Sequence, residues 1–357
     1  MGKIVFNHPR IPFEEFSGDE EYNRAPDASG SPERETDKKD EERGAGMSRK
    51  GKKRSMPGRK PYSDLIAGNL EEEAAPMADN RLYYVSFGSG SSGNSCYVGT
   101  SKGGIIIDAG LKAEEIERKL LENGIPMSNV KGLFLTHDHS DHVRYSYNLL
   151  RNHRHIRLFC TPRVLNGLLR RHSISKRIKE YHEPIFKEIP KKVLDMEITA
   201  FDVPHDGTDN MGFSIEFGDK RFVLATDLGA VTDRARFYMS RANYLVIEAN
   251  YDPDMLRLGR YPEYLKARIM TERGHMQNEA TAQFLKEIMN PQLKYIFLCH
   301  LSQDNNTPAK ALKAVRDALE GAGHTVGNAE ETLSDRQADV QLMALPRFDS
   351  SRWFVFL

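Results

Sequence analysis

The chain has 357 residues, and its 51 lysine and arginine side chains balance its 51 aspartates and glutamates. This balance leaves no overall field that would select nucleic acid or a membrane surface. No apolar run approaches the ~20 residues needed to cross a bilayer, and the apolar start is too short for a signal peptide. The 3 cysteines are far apart and lack CxxC spacing, which favours reduced thiols and predicts a cytoplasmic protein without membrane contact.

The first 80 residues differ in composition from the rest of the chain. Residues 29–43 are charged at most positions and offer almost nothing to bury, so nothing offsets the entropy lost on ordering them. The basic block at residues 49–54 could touch nucleic acid, although such blocks in tails are more often just solvated. We therefore predict a disordered, charged N-terminal tail over residues 1–80 and a folded domain over residues 81–357.

Apolar runs and amphipathic patterns alternate through the folded part. The apolar runs predict strands at residues 82–87, 104–107, 130–135, 158–160, 198–206, 213–217, 221–225, 244–250 and 295–299. The glycine-rich stretch 88–95 predicts a tight turn near the site, since no helix or GK[ST] signal supports a P-loop. The amphipathic patterns predict helices at 111–124, 143–152, 165–171 and 280–288. The first helix should bury Ile116, Leu120 and Leu121 and expose Glu114, Glu115 and Lys119.

The stretch Thr136–His142 holds three histidines and two aspartates, directly after an apolar run. Such a run predicts a buried strand, so the cluster lies on the loop at that strand's carboxyl end. His137 and His139 alternate and can point at one position. Asp141 and His142 can then point at a second position, about one metal diameter away. Because imidazole and carboxylate together suit Zn, Mn or Fe, the stretch predicts a metal site rather than a solvated polar loop.

Three further metal-capable residues each follow a predicted strand. They are His205, Asp227 and His300. Each one alone is more typical of a turn, but an ordered set after an HxHxDH motif indicates metal ligands. Asp108 ends another apolar strand, and we predict that it orients a metal-bound histidine.

The order of these motifs resembles the metallo-β-lactamase superfamily over about residues 82–345, and most of all its YycJ/WalJ-type branch. The stretches that carry the branch resemblance are FGSGSSGNS, TDLG, RGHxxN and CHLSxxNN. The resemblance implies an α/β fold, the four-layer αβ/βα sandwich of the superfamily, with a dinuclear metal site at the sheet edge.

The same resemblance implies two sets of ligands joined by a bridging carboxylate. One ion would be held by three histidines, His137, His139 and His205. The other would be held by Asp141, His142 and His300. Asp227 would bridge the two ions, which we expect to be divalent, Zn²⁺ or Mn²⁺.

Differences within the superfamily narrow the chemistry that the resemblance implies. His139 stands where di-iron flavoprotein reductases carry Glu, which favours hydrolysis. Asp227 stands where true β-lactamases commonly have Cys, which favours phosphodiester substrates. The stretch between Asp227 and His300 is too short for the large insertion of the RNA-cleaving β-CASP nucleases. The implied function is a metal-dependent phosphodiester hydrolase, a DNA exonuclease with nucleic acid as its partner, which uses a metal-bridging hydroxide.

The leaving oxygen of such a reaction needs a proton, and His275 is the candidate donor. It follows Arg273 and Gly274 ahead of an amphipathic helix. The RGH segment resembles the loop by which tRNA-processing members of the superfamily place a histidine over the scissile phosphate. A helix-capping or core histidine is the alternative. The predicted catalytic residues are His275, Asp141 and Asp227.

Three other functions stay open on the sequence alone. A small-molecule phosphodiesterase, of a cyclic nucleotide for example, is favoured by the neutral charge, whereas the basic stretch Arg163–Lys179 favours nucleic acid. A mono-iron thiol dioxygenase has a similar first motif but fills one metal site. A regulatory protein with structural metals is disfavoured, because the sequence supplies a complete two-metal set and an acid candidate.

Overall fold

Two β-sheets, packed face to face, form the centre of the fold. A computed structural model of the chain describes residues 79–331 and 337–357, all within one unit, Glu73–Leu357. The predicted tail, including its basic block, lies outside the described residues except for its last two positions. In the part that is described, no helix is both long and apolar enough to span a bilayer.

The strands of the described residues include all the predicted ones. In chain order they are β1 Leu82–Gly88, β2 Ser95–Thr100, β3 Gly103–Ile107, β4 Val130–Phe134, β5 Arg157–Cys160, β6 His182–Pro184, β7 Lys191–Val193, β8 Met196–Asp202, β9 Met211–Phe217, β10 Lys220–Ala225, β11 Tyr244–Glu248, β12 Tyr295–Cys299, β13 Val326–Asn328, β14 Val340–Ala344 and β15 Phe354–Phe356. The first sheet has the order β15-β1-β2-β3-β4-β5-β6, and the second has the order β13-β14-β12-β11-β10-β9-β8-β7.

Helices cover the outer faces of the two sheets. The helices of the described residues are α1 Ala113–Glu122, α2 Ser140–Val143, α3 Ser146–Asn152, α4 Pro162–Arg171, α5 Asp233–Met239, α6 Pro253–Leu258, α7 Glu263–Ile269, α8 Asn278–Ile288 and α9 Pro308–Glu320, with 3₁₀ helices at Met127–Asn129 and Lys176–Tyr181. Apolar residues of α1, α3 and α4 belong to the core that includes the first sheet, and those of α5, α8 and α9 pack on the second. The predicted four-layer αβ/βα sandwich is therefore confirmed.

The alternation of side chains along the strands explains why both faces of the second sheet are apolar. On β11, Tyr244 and Val246 point into the core between the sheets, whereas Leu245 and Ile247 point toward the helices. Aromatic rings fill the space between the sheets, and Tyr84 of β1 lies 4.8 Å from Phe222 of β10, measured between ring centroids. Strands buried on both faces read as continuous apolar runs, which is how they were recognisable in the sequence.

Three details of the predicted helices were wrong. Leu121 is 66% exposed. Lys119 is buried, because its Nζ donates to the carbonyl of Phe87 at 2.6 Å and pairs with Glu115 at 3.1 Å. The predicted helix at 143–152 is interrupted at Arg144 and Tyr145, since α2 ends at Val143 and α3 begins at Ser146.

Candidate metal centre

The seven predicted ligands come together at the carboxyl ends of the central strands. The segment after β4, a loop that leads into α2, contributes four of them, namely His137, His139, Asp141 and His142. The second sheet contributes the other three, one each after β8, β10 and β12, namely His205, Asp227 and His300. The strand ends converge because β10, β11 and β12 run parallel within their sheet, as β3 and β4 do in theirs.

Three histidines form the first cluster. His137, His139 and His205 each offer a ring nitrogen, and these atoms lie within 4.8 Å of one another. His139 Nδ1 is 3.2 Å from His205 Nε2. His137 Nε2 is buried and has no hydrogen-bond partner in the described part of the chain. A buried imidazole nitrogen without a partner, turned toward two others, fits a metal ligand, since buried polar atoms are otherwise paired.

The second cluster combines two histidines with a carboxylate. His300 Nε2 lies 3.4 Å from Asp141 Oδ2, and His142 Nε2 lies 3.5 Å from the same oxygen. Asn94, from the glycine-rich turn, also donates to Asp141 Oδ2 at 3.0 Å. The predicted position of that turn beside the site is confirmed.

Asp227 lies between the two clusters and faces both. Its Oδ2 is 3.2 Å from His142 Nε2, and its Oδ1 is 3.4 Å from His300 Nε2. The same Oδ1 is 3.8 Å from His205 Nε2, which belongs to the first cluster. The carboxylate of Asp227 thus lies near ring nitrogens of both clusters, which is the position that a bridging ligand would occupy.

The outer nitrogens of the histidines are held by the surrounding protein. His142 Nδ1 is 2.7 Å from Asp108 Oδ2, which confirms the predicted contact of Asp108 with a candidate ligand. His205 Nδ1 donates to the carbonyl of Gly274 at 3.0 Å. His139 Nε2 faces Asp206 Oδ1 at 3.3 Å. Such contacts fix the tautomer, so that the inner nitrogen presents its lone pair to a cation.

Glu248 completes this outer layer and was missed by the sequence reasoning. It ends β11 with a fully buried side chain. Its Oε1 lies 3.0 Å from His300 Nδ1 and 2.7 Å from His275 Nδ1. A carboxylate at the end of an apolar strand was the signal that identified Asp108, and the same signal would have found Glu248.

His275 lies at the edge of the centre, with its side chain 22% exposed. Its ring stacks on that of His300 at 5.3 Å between centroids. The N-cap of α8 is Gln277 rather than His275. A ring nitrogen of His275 also lies within 4.8 Å of ligand atoms of Asp227, Glu248 and His300. These four residues form a further group that could hold an ion.

The histidines of the two clusters differ in the direction of their pKa shifts. Burial and the neighbouring imidazoles lower the pKa of His137, and burial lowers that of His139 to about 4, so both stay neutral. Burial also acts on His300, but Asp227, Asp141 and Glu248 outweigh it and raise its pKa to about 10. Although burial opposes ionisation of Asp227, the charges of His300 and His142 hold its pKa well below the ordinary value. Because ionised carboxylates and neutral imidazoles are the forms that bind cations, a cation at the second cluster would displace the proton of His300, whereas the histidines of the first cluster are already neutral.

Three residues of the centre adopt left-handed backbone conformations that side chains rarely take. Asp108 has φ 60°, Asp227 has φ 42° and His300 has φ 52°. Asp108 and His300 directly follow the last residue of a strand, and one residue separates Asp227 from the end of β10. Such conformations persist where surrounding contacts impose them, and they cluster at functional sites.

Comparison with known proteins places the chain in a family. Residues 104–298 match the family model described as the beta-lactamase superfamily domain. The chain is 34% identical to exodeoxyribonuclease YycJ of Bacillus anthracis over 251 residues, which are 70% of this chain and 94% of that protein. It is 32% identical to exodeoxyribonuclease WalJ of Streptococcus pneumoniae serotype 2 (strain D39) over 252 residues, 70% of this chain and 93% of that protein. The chain belongs to the metallo-β-lactamase superfamily, in its YycJ/WalJ branch.

A solved structure of the superfamily has the same fold. The metallo-β-lactamase fold protein YhfI from Bacillus subtilis matches with a TM-score of 0.56 at 12% identity, over 77% of this chain and 100% of that one. Membership of the metallo-β-lactamase superfamily implies divalent metal ions, and the His and Asp clusters described above can bind them.

Proposed function

We propose that this protein is an exodeoxyribonuclease, which hydrolyses phosphodiester bonds of DNA with two divalent metal ions, Zn²⁺ or Mn²⁺. The observation that carries the proposal is Asp227, which faces a three-histidine cluster on one side and the Asp141 cluster on the other. The identity to exodeoxyribonucleases over nearly their whole length supports DNA as the substrate.

We base the proposed set of metal ligands on the ring nitrogens that face one another within each cluster. We assign His137, His139 and His205 to one ion and Asp141, His142 and His300 to the other, with Asp227 between them. Two such ions lower the pKa of water and neutralise phosphoryl oxygens during an in-line displacement. The chain's part is to hold seven ligand atoms in place before substrate arrives, through the outer contacts of Asp108, Asp206 and Glu248.

His275 is suited to protonate the leaving oxygen. Glu248 fixes its Nδ1, and in the described part of the chain no hydrogen bond is made by its Nε2, which leaves that atom available to the substrate. Burial lowers the pKa of His275, but the charge and hydrogen bond of Glu248 outweigh burial and raise it. The raised pKa favours the protonated imidazole, which is the form that a general acid requires.

One set of substrates tests the proposal. Protein loaded with Mn²⁺ or Zn²⁺ is given 5′-labelled duplex DNA, single-stranded DNA, RNA, a cyclic nucleotide and bis-p-nitrophenyl phosphate. We expect shortening of DNA from an end, loss of activity on chelation and recovery when metal is returned. Full activity in a metal-free preparation, or turnover of the cyclic nucleotide without cleavage of DNA, would contradict it. One iron per chain with oxidation of a thiol would indicate a dioxygenase instead.

A further inference from the structure

A basic concavity lies beside the metal centre. It has a volume of about 500 Å³ and lies between α4 and the 3₁₀ helix Lys176–Tyr181. Four cationic side chains line it, namely Arg163, Arg170, Lys176 and Lys179. We call this surface the basic concavity.

The spacing of the four side chains explains why they converge. Arg163 and Arg170 are seven residues apart on α4, two helical turns, and so share one face. Lys176 and Lys179 are three apart in a 3₁₀ helix, where side chains at that spacing eclipse one another. Arg177 lies between them, points elsewhere and does not line the concavity.

Among the described residues, none of the four cationic side chains of the basic concavity forms an ion pair with a carboxylate. Arg163 donates to the carbonyl of Thr208, and Arg170 donates to that of Asn166, both at 3.3 Å. By contrast Arg171, next along α4, lies 3.5 Å from Asp138. Unpaired like charges around one concave surface repel each other and raise the local concentration of anions.

The basic concavity adjoins the loops that carry the metal ligands. Thr208 lines it, and its backbone N–H donates to Asp138 Oδ1 at 2.8 Å. Asp138 stands between His137 and His139 in the chain and is fully buried. Gly167 of α4 allows this approach, because a side-chain carbon there would collide with Asp138. The wall of the basic concavity is thus in contact with the metal-binding loop.

We propose that the basic concavity binds backbone phosphates of the nucleic-acid strand outside the bond that is cleaved. The inference rests on the proposed function, since it presumes a substrate with several phosphates. Cations that contact phosphates hold and orient a strand without reading its sequence. The protein would then grip a polynucleotide at two places, the metal centre and the basic concavity, and a single-phosphate diester at only one.

The test compares charge removal inside and outside the basic concavity. Binding of a cleavage-resistant phosphorothioate oligonucleotide to metal-loaded protein is measured from 50 to 200 mM salt. For the double variant Lys176→Gln/Lys179→Gln, we expect the slope of log affinity against log salt to become shallower by about 1.4, or 0.7 per contact on a single strand. Over that range the variant should lose about sevenfold less affinity than the wild type. The matched control, Arg177→Gln on the same 3₁₀ helix, should leave the slope unchanged.

Hydrolysis of bis-p-nitrophenyl phosphate separates this inference from damage to the centre. Its turnover should be the same in wild type, double variant and control. An unchanged slope in the double variant, or an equal change per charge in Arg177→Gln, would overturn the inference. If wild-type protein hydrolyses the small diester but not DNA, the proposed function fails, whereas the binding experiment still decides whether the basic concavity holds phosphates.

Discussion

The two sheets contribute to the centre in different ways. The first sheet supplies four candidate ligands from one loop after β4, whereas the second supplies three from three separate strand ends. In the first case a single loop conformation, fixed by contacts of Asp138 and Asn94, places every ligand. In the second case the pairing of β10, β11 and β12 and the packing of the sheets decide where each ligand lies. The four candidate ligands of the first half therefore lie on one short segment of the chain, whereas the three of the second half depend on the packing of separate strands.

The sharpest test of this comparison is Asp227, the second-sheet residue that faces both clusters. Asp227→Ala should reduce the metal content from about two ions per chain. Its turnover should fall by more than the roughly 10–100-fold typical of a lost outer contact. His139→Ala is the control, because it removes a ligand that faces only one cluster. Metal analysis and turnover of bis-p-nitrophenyl phosphate measure both effects, and a milder loss in Asp227→Ala than in His139→Ala would contradict a bridging role.

Substitution of His275 is expected to have the next largest effect on activity. His275→Ala should keep the metal content and the melting temperature but lower kcat on DNA by roughly 10²–10⁴-fold. The loss should be smaller on a p-nitrophenyl ester, whose leaving group scarcely needs a proton. Equal losses on both substrates would make His275 a positioning residue. A drop in metal content would make it a ligand and would reopen the assignment of His300.

Two of the outer carboxylates, Asp108 and Glu248, offer a comparison between the sheets. Asp108 contacts one histidine, His142, whereas Glu248 contacts two, His300 and His275. Asp108→Asn and Glu248→Gln should each weaken metal binding or activity by roughly 10–100-fold.

Only Glu248→Gln should also change the pH profile of kcat. The charge of Glu248 raises the pKa of His275, and activity that needs the protonated imidazole is lost as pH rises through that pKa. Removing the charge lowers the pKa, so the alkaline limb should move to lower pH. If the alkaline limb of the kcat profile moved by the same amount in Asp108→Asn as in Glu248→Gln, His275 would not be the acid.

The smallest effect is expected from the tail. We propose that residues 81–357 form the catalytic domain and that the charged segment before them is not needed for it. Deletion of residues 1–76 should leave the melting temperature and the turnover of bis-p-nitrophenyl phosphate nearly unchanged. If the basic block at 49–54 meets DNA, only oligonucleotide affinity should fall, and more at low salt. Unfolding or aggregation of the shortened protein would contradict the proposed boundary.

The sequence predicted the long central strands and the positions of the seven candidate ligands, because metal-capable residues follow the ends of four apolar runs. It did not predict β6 at His182–Pro184 or β7 at Lys191–Val193. These strands are short and polar, and pairing with a neighbour rather than their own pattern makes them strands. Glu248 was missed because the predicted strand was extended past it to 250, which hid its place at a strand end.

The helix patterns failed where a single contact overrode periodicity. The amphipathic pattern of α1 predicted an exposed Lys119, but the ammonium group reaches the carbonyl of Phe87 and is buried there. The stem of a lysine is apolar enough to lie in a core when its charged end finds an acceptor. No property of α1 alone reveals that acceptor, because Phe87 lies on β1.

The left-handed backbone at Asp108, Asp227 and His300 has a consequence for engineering. Each such conformation costs on the order of 1–3 kcal/mol in a non-glycine residue. Glycine tolerates it best, so a library selected for thermal resistance alone would favour glycine at these three positions. Such a selection would remove two carboxylates and an imidazole from the centre while it increases the stability of the fold. Stabilisation of this scaffold therefore requires an activity readout at every round, since the most readily relieved strain lies at the residues that chemistry needs.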